Sequence, residues 1–179
     1  MAVRPILRMG HPVLRVRARE VTAEDWVDLP ALVQDMKDTM HQARGVGLAA
    51  PQIGVSLRVV IFGFETNERY PDAEAVPETV IINPQWGALG DGEEEDWEGC
   101  LSVPGLRGWV PRSKALEYSG WTLDRRPLER KVEGFHARVI QHECDHLDGI
   151  LYPMRMRDLS RLGFVEELFP DPDQRPADD

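Results

Sequence analysis

The stretch QHECDHLDG, residues 141–149, decides how this chain is to be read. On a helix, His142 and His146 lie four residues apart and project from one face, the spacing that lets two imidazoles share a metal ion. Glu143 falls one residue, about 100°, round from His142, near enough to address a water on that metal without ligating. Two histidines leave a catalytic site one protein ligand short. The source of the third ligand therefore separates the chemistries open to this helix.

Spacing gives the candidates for that ligand. One protease clan with this motif takes a histidine six residues after the second, behind a glycine; Gly149 is present, but the ligand position is Tyr152. Another clan uses a glutamate further downstream, where Glu166 and Glu167 stand, in a charged segment suited to solvent. Cys144 is two residues from His142, about 200° round the helix, and is expected as a small buried apolar residue. Cys100, in WEGCLSVPG, is the remaining soft donor and is expected on a strand or at its end.

The rest of the chain suits one soluble domain. Its 179 residues are long enough to bury a core. The apolar runs, such as LRVVIFGF, are too short to span a bilayer. A net charge of −10 opposes broad binding to nucleic acid or anionic membrane. Two cysteines cannot form a disulfide framework and no secretory apolar region opens the chain, which points to a reducing cytoplasm. The start carries Arg4, Arg8, Arg15, Arg17 and Arg19 before the first acid, Glu20. Pro5 and Pro12 break any amphipathic helix there and serine is absent, so it is read as part of the domain rather than as a transit peptide.

Leu29, Val33, Met36 and Met40 recur at helical spacing before a stop at Gly45. Strand-like runs follow: LRVVIFGF, TVIINPQW, KALEYSGW and LERKVEGF. A second helix over about 135–148 carries the histidines, and DLSRLGFVEELF reads as a short closing helix. The expected class is α+β, with short antiparallel or mixed strands packed around a central metal-binding helix. Residues 1–168 are expected to form one catalytic domain and 169–179 an acidic disordered tail.

The loop RGVGLAAPQIG, 44–54, brings Gly45 and Gly47 close to any ligand. Its spacing matches no phosphate-binding loop, no lysine follows, and it leads into Pro51 rather than a helix. Gln52, on a stiffened loop, offers a neutral side-chain donor of the kind a carbonyl hydrolase needs for its oxyanion.

Together GVGLAAPQ, EGCLS and QHECDH, in that order, closely resemble the three motifs of the peptide deformylases, of the bacterial, class I kind. The similarity extends over about residues 3–165, including ILRMGHPVLR near the start. The resemblance implies the fold of that family and removal of the formyl group from N-formylmethionyl nascent peptides, with release of formate. It assigns Cys100, His142 and His146 to the metal, which in the family is ferrous iron, with zinc, nickel or cobalt as substitutes. The donor set alone would suggest zinc. It further implies Glu143 as the group that moves protons, and Gln52 with the backbone N–H of Leu101 as oxyanion donors. Gly45, Val46, Gly47 and Gly99 would lie along the substrate backbone, with Val46, Phe135 and Val139 around the first side chain. Glu98 is expected to pair with Arg112, and Asp145 to orient a ligand histidine.

Two other readings remain at this stage: a metallopeptidase using Glu166 or Glu167, and a non-catalytic module that binds metal or peptide on the same scaffold. Relatives can dock on ribosomes through a basic C-terminal helix. Here Arg155, Arg157 and Arg161 are followed by an acidic tail, which argues against ribosome contact through it.

Overall fold

The computed structural model describes residues 2–65 and 74–171. Among these are three α-helices and eight strands, and the strands form two antiparallel sheets. Helix α1 spans Leu29–Gln42, followed by β1 (Gly47–Ala49), β2 (Val59–Phe64) and β3 (Val76–Ala88). Next come β4 (Glu93–Cys100), β5 (Val103–Ser113), β6 (Ala115–Trp121) and β7 (Pro127–Glu133). Helix α2 (Gly134–Leu147), β8 (Leu162–Phe164) and the single turn α3 (Val165–Leu168) complete the order. The larger sheet runs β1-β2-β3-β6-β7 and the smaller β4-β5-β8.

The unbroken apolar run of β2 has a direct cause, since the strand is covered on both faces. Val60 and Phe62, with Ile81 of β3, pack against Ala137, Ile140, Cys144 and Leu147 of α2. Val59, Ile61 and Ile82 point the other way, onto Leu29, Val33, Met36 and Met40 of α1. The larger sheet is thus sandwiched between the two long helices. Strand β6 alternates instead, burying Leu116 and Tyr118 against α2. Both helices read from periodicity are found, as are the four strand-like runs.

Two segments depart from the sequence reading. Cys100 stands at the end of a strand, as expected, but that strand reaches back through the acidic run to Glu93 and pairs along β5, where no strand-like pattern was read. Within the expected closing helix, Leu162–Phe164 instead adds a third strand to β5, and only Val165–Leu168 turns as α-helix. Of the expected disordered tail, residues 172–179 lie outside the described residues. Phe169 packs edge-on against Trp97 with ring centroids 5.5 Å apart.

The N-terminal arm is woven into the fold. Leu14 and Ala18 are buried. The Leu7 and Met9 N–H groups donate to the carbonyls of Gln52 and Ser102, and that of Ala18 to the carbonyl of Leu147. Gly149 explains why the arm can pass so closely beneath α2. Its φ is 74° and it closes the helix with a paired cap, in which Gly149 N–H donates to the His146 carbonyl and Ile150 N–H to the Asp145 carbonyl. The glycine behind the histidines is therefore a helix stop rather than a sign of a protease clan. A Cβ there would stand 2.7 Å from the Arg15 carbonyl carbon. Gly149→Ala combines a left-handed conformation, costing about 1–2 kcal/mol, with a clash against backbone. We expect a loss of about 2 kcal/mol or more in urea unfolding, seen as a lower midpoint at unchanged slope.

Candidate metal centre

Helix α2 and the end of β4 bring the three expected ligands together. One donor atom from each of Cys100, His142 and His146 lies within 4.8 Å of the others. Cys100 Sγ is 3.3 Å from His146 Nε2. Two ligands about 2.3 and 2.1 Å from one ion at a tetrahedral angle stand about 3.6 Å apart, so the triad fits a single small divalent ion. Among the described residues this is the group that could hold a metal. Glu166 and Glu167 are exposed on α3 and are not part of it.

Glu98 organises the triad from behind. Burial alone works to raise its carboxyl, but the Arg112 charge and hydrogen bonds, then those of His142, outweigh it and hold it well below the usual range. Arg112 donates Nε to Oε1 at 2.8 Å and Nη2 to Oε2 at 2.9 Å, a bidentate pair. An ionised carboxylate can only accept, so the 2.9 Å contact between His142 Nδ1 and Glu98 Oε2 places the proton on Nδ1. That leaves His142 Nε2 free to ligate. The expected Glu98–Arg112 pair is present, but Asp145 does not orient a histidine. Its carboxylate accepts from Arg112 Nη1 at 2.6 Å and from Arg155 at 2.7 and 3.1 Å.

The thiols behave oppositely. At Cys100, burial would raise the pKa, yet the charge on His146 and hydrogen bonds from both histidines bring it well below a free thiol's. A thiolate donor suits a divalent metal. Cys144 sits in the apolar core of α2, where burial pushes its thiol up. It is an inert filler on the opposite face, as helical phase requires.

Glu143 is buried beside the ligands. Burial raises its carboxyl to about 7 against the pull of His142 and His146. Its Oε2 is buried with no hydrogen-bond partner. An orphaned carboxylate oxygen next to a cation site fits a group whose partner is a metal-associated water or substrate. The carboxylate lies over Gly47, where a Cβ would come within 2.7 Å of Glu143 Cδ. The small residues of GVGLAAPQ are thus required by what sits on them.

Gln52 is almost fully buried, and its amide orientation follows from its neighbours. Oε1 accepts from the Ala49 N–H at 2.8 Å, which turns Nε2 toward Ser102 Oγ at 3.1 Å and Cys100 Sγ at 3.7 Å. Gln52, Leu101 and Glu143 all line one cavity with Gly45, Val46, Gly47, Gly99, Phe135 and Val139. Every residue expected to act on or bind substrate therefore faces the same space.

Three contributors were not read from sequence. Ser102 lies inside the EGCLS motif, and its N–H points at Cys100 Sγ from 3.4 Å. Tyr152, at the position where another clan keeps a ligand, is buried and stacks on His142, 24° from parallel with centroids 6.3 Å apart. Arg138 lines the cavity and donates to Glu98 Oε1 at 2.9 Å. Its place four residues before His142 was the available signal, because i and i+4 share a helix face.

Comparison with known proteins places the chain in one family. The family model described as polypeptide deformylase matches residues 3–162. Peptide deformylase 2 of Ralstonia nicotianae is 60% identical over 169 residues, covering 94% of this chain and 96% of that protein. Peptide deformylase 1 of Nitrosomonas europaea is 58% identical, with 94% and 96% covered. A crystal structure of the class I type b peptide deformylase of Acinetobacter baumannii with Met-Ala-Ser bound superposes with a TM-score of 0.82 at 38% identity, covering 87% of this chain and 99% of that one.

Cys100→Ala is expected to lose bound metal, while Cys144→Ala keeps it. Metal analysis of the two purified variants checks this, and equal loss in both would refute the assignment of the thiolate.

Proposed function

The chain belongs to the polypeptide deformylase family, and from that premise we propose how its residues carry out the family's reaction. It is a hydrolase that removes the N-formyl group from the N-terminal formyl-methionine of newly made polypeptides and releases formate. The observation that carries the residue assignment is the convergence of Cys100, His142 and His146 beside the unpartnered Glu143 carboxylate.

In this reading Cys100 Sγ, His142 Nε2 and His146 Nε2 hold a divalent ion. That ion would supply Lewis acidity to a water and to the formyl oxygen. Glu143 accepts the proton from the attacking water and later returns it to the leaving amine, so the formyl C–N bond breaks to give formate and a free N-terminus. The Gln52 Nε2 amide and the Leu101 N–H donate to the oxygen that gains charge at the tetrahedral stage. The Ala49 N–H already fixes which end of the Gln52 amide is the donor.

Strand topology supports the expected binding mode. Strand β1 is an edge of the larger sheet and β4 an edge of the smaller, and residues of both line the cavity. An extended peptide can therefore add to the free edge at Val46 and Gly47 and run past Gly99. Val46, Phe135 and Val139 then surround the first side chain. For the resident ion we propose ferrous iron, with zinc, nickel and cobalt as substitutes compatible with one thiolate and two imidazoles.

No helix among the described residues is long and apolar enough to cross a membrane, and we propose a cytoplasmic enzyme. The arginines near the C-terminus are engaged within the fold. Arg155 pairs with Asp145, Arg157 with Glu93 and Glu95, and Arg161 lies over Trp109 at 4.0 Å. Their engagement supports the view that this end does not present a basic face to the ribosome.

Formate release from formyl-Met-Ala-Ser by anaerobically purified protein tests the function. Glu143→Gln should retain metal and lose at least about a hundredfold in kcat, within the range for a positioned acid–base. Metal content falling in step with activity would make Glu143 a ligand and refute its proposed role. Reconstituted with iron, the protein should lose activity in air together with the Cys100 thiol, because thiolates oxidise readily and iron is redox-active. Zinc-loaded protein should not. Equal decay with both metals, followed by formate release and thiol titration, would exclude iron as the cause.

A further inference from the structure

Arg138 stands one turn before His142 on α2 and is only 6% exposed. It lines the same cavity as Val46, Phe135 and Val139, the residues assigned above to the first side chain. An arginine beside an apolar cavity ordinarily turns its head to water and leaves a compliant stem. Here the head cannot turn. Nη1 donates to Glu98 Oε1 and to the Val110 carbonyl, each at 2.9 Å, and Nη2 donates to the Glu94 carbonyl at 2.9 Å. These acceptors belong to two strands, β4 and β5, and the planar guanidinium is held to all three at once.

We propose that Arg138 is a specificity-determining residue, its pinned side chain being the rigid wall that sets the width of the pocket for the substrate's first side chain. The inference rests on the pocket reading given above. A wall of apolar side chains alone could swing one rotamer aside for a larger guest. Moving Arg138 instead breaks buried hydrogen bonds to Glu98, Val110 and Glu94, each of which is costly to leave unmade. The pocket thus admits a slim unbranched chain such as that of methionine and rejects a ring. Because Glu98 also accepts from His142, the pocket wall and one metal ligand are registered against the same carboxylate.

The test compares formate release from formyl-Met-Ala-Ser and formyl-Phe-Ala-Ser in wild type, Arg138→Lys, Arg138→Met and Arg138→Ala. One misfitting methylene in a closed pocket is worth roughly ten- to two-hundredfold. Wild type should therefore favour the methionine substrate in kcat/KM by at least about tenfold. Arg138→Ala should shrink that preference by about tenfold or more, through a relative gain on the phenylalanine substrate. Arg138→Met, which keeps a stem without its pins, should shrink it partway. Arg138→Lys retains the charge but not the planar fork, and should also lose selectivity. The ratio between substrates does not depend on the fraction of protein folded, so a poorly folding variant still reports. An equal fall on both substrates with the preference intact overturns the inference and leaves Arg138 a structural brace. No preference in wild type overturns it as well. If wild type releases formate from neither substrate, the functional reading fails and the inference falls with it.

Discussion

The Glu98 carboxylate accepts hydrogen bonds from Arg112, Arg138 and His142 at once, inside the protein and away from water. Helix α2 and strand β4 come from distant parts of the chain and belong to different layers. Their relative position is set where His142 and Arg138 of the helix meet Glu98, two residues before Cys100. Desolvating this acid is costly, and the cost is offset only because both oxygens are fully used. A carboxylate so held must accept, so it dictates the tautomer of His142 and with it which nitrogen meets the metal. Asp145 then anchors Arg112 from the far side, and Arg155 anchors Asp145. The ligand geometry is thus a consequence of charge pairing deeper in the molecule.

The cavity over this network exists because two sheet edges face it. An exposed edge strand is ordinarily a liability. Here residues of the β1 and β4 edges line the cavity beside Cys100, His142 and Glu143. The glycines of these edges leave room at defined points: Gly47 under the Glu143 carboxylate, and Gly99 against the Arg107 guanidinium, where a Cβ would stand 2.9 Å away. A side chain at either position would clash with the group packed beside it.

Legibility in the sequence followed burial. Helix α1 and strand β2 were readable because each buries its own apolar residues, in a stripe or on both faces. Strand β4 was readable only at its Cys100 end, since Glu93, Glu94 and Glu95 carry no apolar alternation. It is a strand because of its ladder to β5, the Trp97–Trp109 ring contact and the Arg138 bond to the Glu94 carbonyl. Strand β5 contains Pro104 and Pro111, which local rules count against a sheet interior, yet it lies between β4 and β8. The closing segment failed for the same reason, because Leu162–Phe164 pairs with a strand far away in sequence rather than continuing a helix.

The sequence by itself determined the metal-binding helix, the exclusion of Cys144 and the family, because helical phase is a local property and three motifs in order carry their own register. Cys100 was reachable by elimination. Tertiary structure alone decided that Glu98, not Asp145, holds His142, that Tyr152 stacks on that ring, and that Arg138 bonds to Glu98. Each of those depends on which groups compete for a buried partner. Such competition is settled only when the sheets and α2 pack together, so no periodicity along the chain could have recorded it.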